Sequence, residues 1–356
     1  MRIEELDFQL PPGAIAQEPA DPRDSCGLMH LDVSGRIGHL MFSDLPALLR
    51  PGDTLVFNDS KVLPARVLAN RPSGGVVELL FLRPIAADDG DPGESWEALA
   101  RPSKRLRTGA GVLVGGSERL TLAEKLGEGR WAVRGAAGAS LLDVMESHGR
   151  LPLPPYIERY PEEPNVYQTV YAATPGSAAA PTAGLHFTRE LIQRLEGMDV
   201  RVAWVTLHVG LDTFLPIRES AVEEHHIHTE SFQVPATTVE KLREARADGR
   251  RVIAVGTTVT RVVETLARSG ALASPPGQDQ LCGSTSMFIT PGYEFQAVDA
   301  LLTNFHLPRS TVLALAMAFA GVERLKLAYM VAVEQKYRFF SFGDAMLIER
   351  PAAERV

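Results

Sequence analysis

The amino-acid sequence predicts an α/β protein, in which a barrel-like main α/β domain carries an inserted, small antiparallel β-barrel. The chain has 356 residues, enough for about two domains of ~150 residues each. From about Arg150 onward, short β-branched runs alternate with longer segments of helical period, the pattern of parallel strands covered by helices. Between about Leu63 and His148, glycine-rich breaks separate short strand-like runs, which is typical of a small antiparallel barrel.

The α/β part contains strands and helices in alternation. Thr257 and Thr258 are expected to cap one helix, and Ser310 or Thr311 to cap another, because hydroxyl side chains at these positions accept hydrogen bonds from free helix N–H groups. The predicted helices are 188–197, 236–249, 257–270 and an apolar segment that begins after Ser310 or Thr311, and the predicted strands are 200–210, 251–256 and 300–305.

The inserted part contains six strand-like runs. These are RVLAN, VVELLFL, WEALA, GVLVGG, LTLAEKL and RWAVRG. The run LVFNDSKVLPARV before them also predicts a strand and a turn, so the barrel is expected to interrupt the main domain. The predicted domains are residues 1–62 with 150–356 for the main domain and 63–149 for the barrel.

Composition excludes several classes of protein. A hydrophobic fraction of 45% excludes disorder, and a net charge of −8 excludes a uniformly basic nucleic-acid-binding surface but permits a local basic patch. Two cysteines far apart, Cys26 and Cys282, fit neither a disulfide framework nor a cysteine-rich zinc ribbon, which favours a reducing cytoplasm. The start of the sequence lacks the pattern of a signal peptide, and the longest apolar run, 312–322, is about half of the ~20 residues that a membrane helix needs.

Three segments place polar residues at the end of a predicted strand or the start of a predicted helix, where ligands of α/β proteins gather. His208 ends one strand, AAPTAGLHF carries Thr182 and His186 next to a helix start, and TNFHLPRST carries Asn304 and His306. Each has a structural alternative, namely a buried histidine that binds a carbonyl, a tight loop, or a capped turn.

Two further clusters have both functional and structural explanations. His225, His226 and His228 lie among glutamates, which suits proton transfer, while a metal site or a solvated loop are alternatives. The basic cluster favours a phosphate backbone as its ligand, with a solvated surface as the alternative. Its members are Arg101, Lys104, Arg105 and Arg107. GxGxxG, GxxxxGK[ST] and GxSxG motifs do not occur.

Eight segments resemble the signature segments of the S-adenosylmethionine:tRNA ribosyltransferase-isomerases of queuosine biosynthesis. They run in that family's order from Leu55 to Met346: LVFNDSKVLPAR, LPLPPYI, APTAGLHF, TLHVG, EEHHIHTE, VIAVGTT, LLTNFHLPRST and YRFFSFGDAM. Asp212, where the family usually has glycine, and Gly27, where it usually has arginine, depart from the pattern, as does the composition of the loop 270–282.

The resemblance implies transfer and isomerisation of the ribosyl unit of S-adenosylmethionine onto 7-aminomethyl-7-deazaguanine at the wobble position of a tRNA. Epoxyqueuosine forms, and adenine and methionine leave. The sulfonium acidifies the C5′ hydrogens, so a neutral base can remove one, and adenine leaves more readily once protonated. S-adenosylmethionine is then a cosubstrate, and neither a prosthetic group nor a metal is expected.

The resemblance also implies roles for individual residues. The expected catalytic residues are His186, His208 and His306. The expected cosubstrate-binding residues are Thr182, Gly184, Gly210, Thr213, Asn304 and Phe305. Further expected pocket residues are Asn58, Asp59, His225, His228, Glu230, Arg261 and Asp344, and the expected tRNA-binding residues are Arg101, Lys104, Arg105 and Arg107.

Two other functions stay open at this point. One is a metal-dependent hydrolase that uses His225, His228 and a third ligand such as His208. The other is a non-catalytic RNA-binding protein that uses the barrel and the basic cluster. We expect a cytoplasmic monomer that has S-adenosylmethionine and tRNA as partners and does not associate with membranes.

Overall fold

A computed structural model describes residues 1–85, 94–135, 140–161, 163–210, 217, 219–225, 227–275, 277 and 279–351. The chain divides into two compact units. The first contains Met1–Ser60, Pro155–Thr174 and Ala180–Val356, and the second contains Lys61–Pro154 and Pro175–Ala179. The second unit extends past residue 149, the limit expected from the sequence. Gly149–Arg150 pairs with a barrel strand, and the backbone N–H of Leu63 donates to the carbonyl of Ser177 at 3.1 Å.

The first unit is built on a nine-stranded mixed sheet. In chain order its strands are β1 (Gly27–Leu31), β2 (Ile37–Met41), β3 (Thr54–Asn58), β13 (Arg201–Leu207), β14 (Glu230–Val234), β15 (Val252–Val255), β16 (Leu281–Thr285), β17 (Ala300–Asn304) and β18 (Ala345–Glu349). Across the sheet the order is β16-β14-β13-β3-β15-β17-β18-β1-β2. The four central strands β13, β3, β15 and β17 are parallel, so their carboxyl ends lie at one edge of the sheet.

Burial explains why the central strands are continuous apolar runs. Every residue of β3, β15, β17 and β18 is buried, as expected for strands that are covered on both faces. The helices are α1 (Leu141–His148), α2 (Arg189–Glu196), α3 (Ala236–Ala247), α4 (Thr257–Arg268), α5 (Thr311–Ala320) and α6 (Val322–Glu334). The predicted α/β class of the main domain is therefore confirmed. None of the helices in the described parts of the chain has the length and apolar character to span a membrane.

Hydroxyl side chains cap two helices, of which only the cap by Ser310 was predicted, and the cap predicted for a third helix does not form. Thr188 and Ser310 cap α2 and α5, since each side chain accepts a hydrogen bond from a backbone N–H three residues later. The expectation that Thr257 and Thr258 cap α4 is wrong. Gly256 is the N-cap, with a φ of 98° that favours glycine, and Thr257 is already helical. The first N–H groups of α4 therefore have no side-chain cap.

The second unit contains a closed six-stranded antiparallel barrel. Its strands are β5 (Arg66–Asn70), β6 (Val76–Ile85), β7 (Ser95–Arg101), β8 (Ala110–Val114), β9 (Glu118–Gly127) and β10 (Arg130–Arg134). The order is β5-β6-β7-β10-β9-β8, and β8 pairs back with β5 to close the barrel. All six sequence-predicted runs form these strands, which confirms the predicted barrel. The remaining strands are β4 (Ser60–Val62), β11 (Gly149–Arg150) and β12 (Thr174–Ser177).

An aromatic cluster in the core of the first unit supports the segment that follows residue 181. The rings of Phe42 and Phe57 lie 5.0 and 4.9 Å from the ring of Phe187, both edge to face. The ring of His186 lies 5.2 Å from Phe42. The short 3-10 helix Thr182–His186 is thus held against the core at its C-terminal end.

A buried ion cluster ties three strands together at the opposite edge of the sheet, where the parallel strands begin. Arg251 donates to both carboxylate oxygens of Asp53, at 3.0 and 2.5 Å, and to Glu349 at 3.0 Å. It also donates to the carbonyl of Leu48 at 3.0 Å. One guanidinium therefore balances two buried carboxylates that precede β3 and end β18.

Replacing Arg251 with alanine should destabilise the first unit strongly. The change leaves two carboxylates buried without their cation, and removal of one partner from a buried ion pair costs about 3–5 kcal/mol. Urea denaturation followed by circular dichroism measures the free energy of unfolding. Arg243→Ala is the matched control, because its pair with Glu240 on α3 is largely exposed and should matter little. Equal effects of the two substitutions would contradict the role of the cluster.

Candidate active site

A pocket opens at the edge of the sheet where the central parallel strands end. It has about 510 Å³ of empty space, which includes space that is open to solvent. Four segments line it, namely 180–183, 256–258, 303–306 without Phe305, and 340–341, together with Val209 and Val312. The sequence-predicted residues Thr182, Asn304 and His306 therefore meet in one pocket.

His186 lies behind this pocket and holds Asn304 in place. The Nδ2 atom of Asn304 lies 2.8 Å from His186 Nε2 and also donates to the carbonyl of Phe340 at 3.0 Å. With both amide hydrogens engaged, Nε2 is the acceptor and the ring proton is on Nδ1, which lies 3.3 Å from the Cys26 sulfur. The side chain of Asn304 can then offer a ligand its Oδ1 acceptor.

Burial keeps this histidine neutral. It lowers the pKa of His186 to about 3, with Arg338 and Arg23 acting in the same direction. It also raises the pKa of the neighbouring Cys26 thiol to about 12. Since both ring nitrogens face protein groups, His186 is suited to positioning Asn304 rather than to taking up a proton.

His306 is the histidine that lines the pocket itself. Its Nε2 lies 2.9 Å from Thr303 Oγ1, and its backbone N–H donates to the Tyr329 hydroxyl at 2.8 Å. Burial lowers the pKa of His306 to about 3, so the ring is neutral at physiological pH. Thr303 thus engages one nitrogen, Nε2, of a ring that lines the pocket.

His208 and Asp59 form a second titratable pair at the ends of β13 and β3. Burial lowers the pKa of His208, while the charge of Asp59 acts in the opposite direction. Burial also raises the pKa of Asp59, which accepts a hydrogen bond from Thr206 Oγ1 at 2.6 Å. His208 Nδ1 is buried and has no hydrogen-bond partner among the described residues. His208 does not line the pocket, but the next residue, Val209, does.

Glu230 and Arg261 form a buried ion pair beside the Gly210 backbone. Arg261 Nη1 donates to one carboxylate oxygen of Glu230, and the other accepts from Gly210 N at 3.1 Å. Arg261 Nε also donates to the carbonyl of Met287 at 3.0 Å. These two expected pocket residues are thus engaged with protein groups and fix the chain at Gly210. Thr213 and Asp212 lie outside the described residues.

Three residues expected at the ligand have side chains with structural roles instead. The Phe305 ring is fully buried and packs 5.1–5.6 Å from Tyr329, Tyr337 and Phe339, so it offers no stacking face to the pocket. Asn58 exchanges two hydrogen bonds of 3.0 Å with the backbone of Leu207, which joins β3 to β13. Asp344 accepts from the backbone N–H groups of Gly27 and Arg338, at 2.9 and 2.7 Å.

Gly184 also has a packing role. A Cβ atom built at this position would lie 1.9 Å from the Tyr171 hydroxyl. Only glycine allows the 3-10 helix to approach that phenol so closely. The contact of Gly184 with the cosubstrate stays a prediction, while the close approach to Tyr171 gives this glycine a role in positioning the helix that carries His186.

His225 and His228, the two members of the histidine cluster that the structure describes, do not line the pocket. His225 Nδ1 lies 2.9 Å from Glu219 Oε2, His228 is exposed, and His226 lies outside the described residues. Among the residues that the structure describes, no three His, Cys, Asp or Glu side chains converge in a way that could hold a metal ion. The basic cluster runs from Arg101, the last residue of β7, into the loop that leads to β8, and all four of its cationic side chains are exposed.

Sequence reasoning missed three contributors to the pocket. Thr257 and Thr258 line it with the uncapped N-terminus of α4, whereas the sequence suggested only a capping role. Ser341 lines it as well. Its presence in the YRFFSFGDAM segment was the available signal, but a motif alone does not show which side chain faces a ligand.

Comparisons with known proteins agree over almost the whole chain. A family model described as "Queuosine biosynthesis protein" matches residues 3–348. Two proteins named S-adenosylmethionine:tRNA ribosyltransferase-isomerase are similar: one from Rubrobacter xylanophilus, 55% identical over 98% of each chain, and one from Moorella thermoacetica, 45% identical over 98% of this chain and 100% of that one.

A solved structure has the same fold. The crystal structure of S-adenosylmethionine tRNA ribosyltransferase from Thermotoga maritima is 38% identical, with 97% of this chain and 99% of that chain covered and a TM-score of 0.54. The full-length family match and the high identity of the relatives lead to one conclusion. The chain belongs to the queuosine biosynthesis protein family.

Proposed function

We propose that this protein transfers and isomerises the ribosyl unit of S-adenosylmethionine onto 7-aminomethyl-7-deazaguanine at the wobble position of a tRNA. Epoxyqueuosine forms, and adenine and methionine leave. The shared name of relatives that are 45–55% identical over the whole chain supports this reaction. The structural observation that carries it is the single pocket in which Asn304, His306 and the N-terminus of α4 meet. We further propose that the protein is a cytoplasmic monomer without a prosthetic group.

The N-terminus of α4 is proposed to bind the carboxylate of the methionine moiety. Thr257 and Thr258 line the pocket, and the backbone N–H groups in this first turn have no side-chain cap. Such groups and the helix dipole favour a negative charge. The cosubstrate would then extend from α4 toward Asn304 and His306.

His306 is proposed to act as the base that removes a C5′ proton. The sulfonium of S-adenosylmethionine makes this proton acidic, and the neutral His306 ring lines the pocket with Nε2 held by Thr303. A buried, uncharged imidazole also avoids repulsion of the positive sulfonium. The chemistry requires no redox change at either step.

His208 and Asp59 are proposed to serve the departure of adenine, which needs a proton on the base. Burial lowers the pKa of the His208 imidazole and raises the pKa of the Asp59 carboxyl group, so that the two pKa values lie closer together. His186 is proposed to act indirectly, because it holds the Asn304 amide.

The loop from β7 to β8 is proposed to contact the phosphate backbone of the tRNA. Lys104, Arg105 and Arg107 are exposed on this loop, and Arg101 is exposed at the end of β7 just before it. Each phosphate that they neutralise releases counterions, which favours binding at low salt. The remainder of the second unit is not basic, since residues 63–148 contain equal numbers of acidic and basic side chains.

Replacing His306 with alanine should lower kcat for adenine release by about 10²–10⁴-fold, the usual contribution of one general base. The assay follows adenine with S-adenosylmethionine and a tRNA that carries the aminomethyl base. His39→Ala is the control, because His39 lies on the edge strand β2, is hydrogen-bonded to the Tyr337 hydroxyl and does not line the pocket. A near-normal rate of the folded His306 variant would rule out His306 as the base.

His186 should make the protein less stable in acid. Its pKa in the folded state is about 3, below the ~6.5 of an unfolded chain, so between these values the unfolded state binds the extra proton. Stability should therefore fall as pH falls below about 6.5, by about 1.4 kcal/mol per pH unit for this group. His186→Gln should show a shallower decline in urea denaturation at pH 7.5 and 5.5. Parallel declines would show that His186 is not buried in the neutral form.

Charge reversal of Arg105 and Arg107 to glutamate should weaken tRNA binding and reduce its dependence on salt, by ~0.7–0.9 in log–log slope for each lost phosphate contact. S-adenosylmethionine binding should not change. Arg189→Glu with Arg194→Glu is the matched control, since both residues are exposed on α2 and the change in net charge is equal. Unchanged tRNA affinity of the loop variant, or an equal loss in the control, would remove the proposed role of the loop.

A further inference from the structure

The pocket wall contains a tightly held turn between Phe339 and Gly343. Phe340 has a φ of 74°, a left-handed conformation that is strained for a bulky side chain and is maintained by its surroundings. Its N–H donates to Phe305 O at 3.0 Å, and its carbonyl accepts from Asn304 Nδ2 and Gly343 N, both at 3.0 Å. This network presents Phe340 and Ser341 to the pocket.

The side chain of Tyr156, from the LPLPPYI segment, contacts this turn. Tyr156 lies 185 positions before Ser341 in the sequence. Its hydroxyl lies 2.5 Å from Ser341 Oγ, and its ring packs edge to face on Phe340 with the centroids 4.0 Å apart. The Tyr156 carbonyl accepts from Gln17 Nε2 at 2.9 Å, which fixes the backbone of the tyrosine. Two family segments without a role in the reaction so far are thus joined by one short hydrogen bond.

Either hydroxyl can be the donor of that bond. Burial and the neighbouring Tyr167 hold the pKa of Tyr156 well above its usual range, so the phenol keeps its proton. A phenol O–H that donates to Ser341 Oγ leaves the serine O–H free to donate elsewhere. Ser341 is buried and lines the pocket, and the Tyr167 hydroxyl also lies within its reach, so with Tyr156 as the donor the serine O–H can donate to Tyr167 or to a bound ligand.

We propose that Ser341 donates a hydrogen bond to the adenine of S-adenosylmethionine and that Tyr156 is its positioning residue. Asn304 supplies an acceptor, Oδ1, on the same wall, because its Nδ2 is bound to the carbonyl of Phe340, the residue before Ser341. An acceptor beside a donor matches the edge of adenine, which presents the N6 amine next to a ring nitrogen. This inference rests on the proposed function, since it assumes S-adenosylmethionine as the ligand.

The experiment is a double-mutant cycle on the full chain, with dissociation constants for S-adenosylmethionine measured by calorimetry. Tyr156→Phe keeps the ring on Phe340 and removes only the hydroxyl, and Ser341→Ala removes the donor. Each should weaken binding by up to about tenfold, the value of one neutral hydrogen bond. The double variant should bind as Ser341→Ala does, because Tyr156 acts through Ser341. Tyr293→Phe is the control for loss of a phenol hydroxyl, which in Tyr293 binds Glu264 at 3.1 Å.

A second probe, 5′-methylthioadenosine, contains the purine and ribose but no amino acid. Ser341→Ala should weaken its binding by the same factor. Affinity for S-adenosylmethionine within twofold of the wild type in both single variants would overturn the inference, and a further loss in the double variant would overturn the positioning role. A wild-type protein that does not bind S-adenosylmethionine would instead overturn the proposed function. If Ser341→Ala does not fold, Ser341→Cys, which keeps the size but donates weakly, takes its place.

Discussion

The hydrogen bond between Asn304 and His186 is the contact on which the pocket depends most. It joins the end of β17 to the 3-10 helix Thr182–His186, and the second hydrogen of the same amide reaches the carbonyl of Phe340. Three segments that are far apart in sequence are therefore set relative to one another by one side chain. Because His186 is buried and neutral, this arrangement does not need a charged partner.

The buried ion cluster and the pocket lie at opposite edges of the nine-stranded sheet. The Arg251 cluster ties strands together where the parallel strands begin, and the pocket lies where they end. Several polar residues expected at the pocket are hydrogen-bonded within the protein. Asn58 joins two strands, and Glu230, which is paired with Arg261, accepts from the Gly210 backbone N–H. The side chains left to face a ligand are few, and they come mainly from β17, α4 and the turn at Phe340.

Much of the fold could be predicted because local chemistry determines it. Ser310 caps its helix as a hydroxyl side chain does, and the six glycine-separated runs became the six barrel strands. The site was harder to predict because it depends on which way a side chain points once the chain is packed. Phe305 lies between two pocket residues, yet its ring faces an aromatic cluster. The sequence contains no local signal that distinguishes it from Asn304.

Long-range pairs were likewise beyond local patterns. Nothing in the LPLPPYI segment indicates that Tyr156 reaches Ser341, and the approach of Tyr171 to Gly184 depends on tertiary packing. The histidine-rich segment shows the opposite case. Its density of ionisable groups suggested a place in the pocket, whereas His225 is paired with Glu219.

The two cysteines have contrasting environments, and this matters for chemical labelling. Cys26 is buried against His186 with a thiol that resists ionisation, whereas Cys282 is exposed on β16. Thiolate-selective reagents such as maleimides need an accessible, ionisable sulfur. The native chain therefore offers one attachment point for a fluorophore, on a strand at the margin of the sheet, with no engineering of the residues around His186.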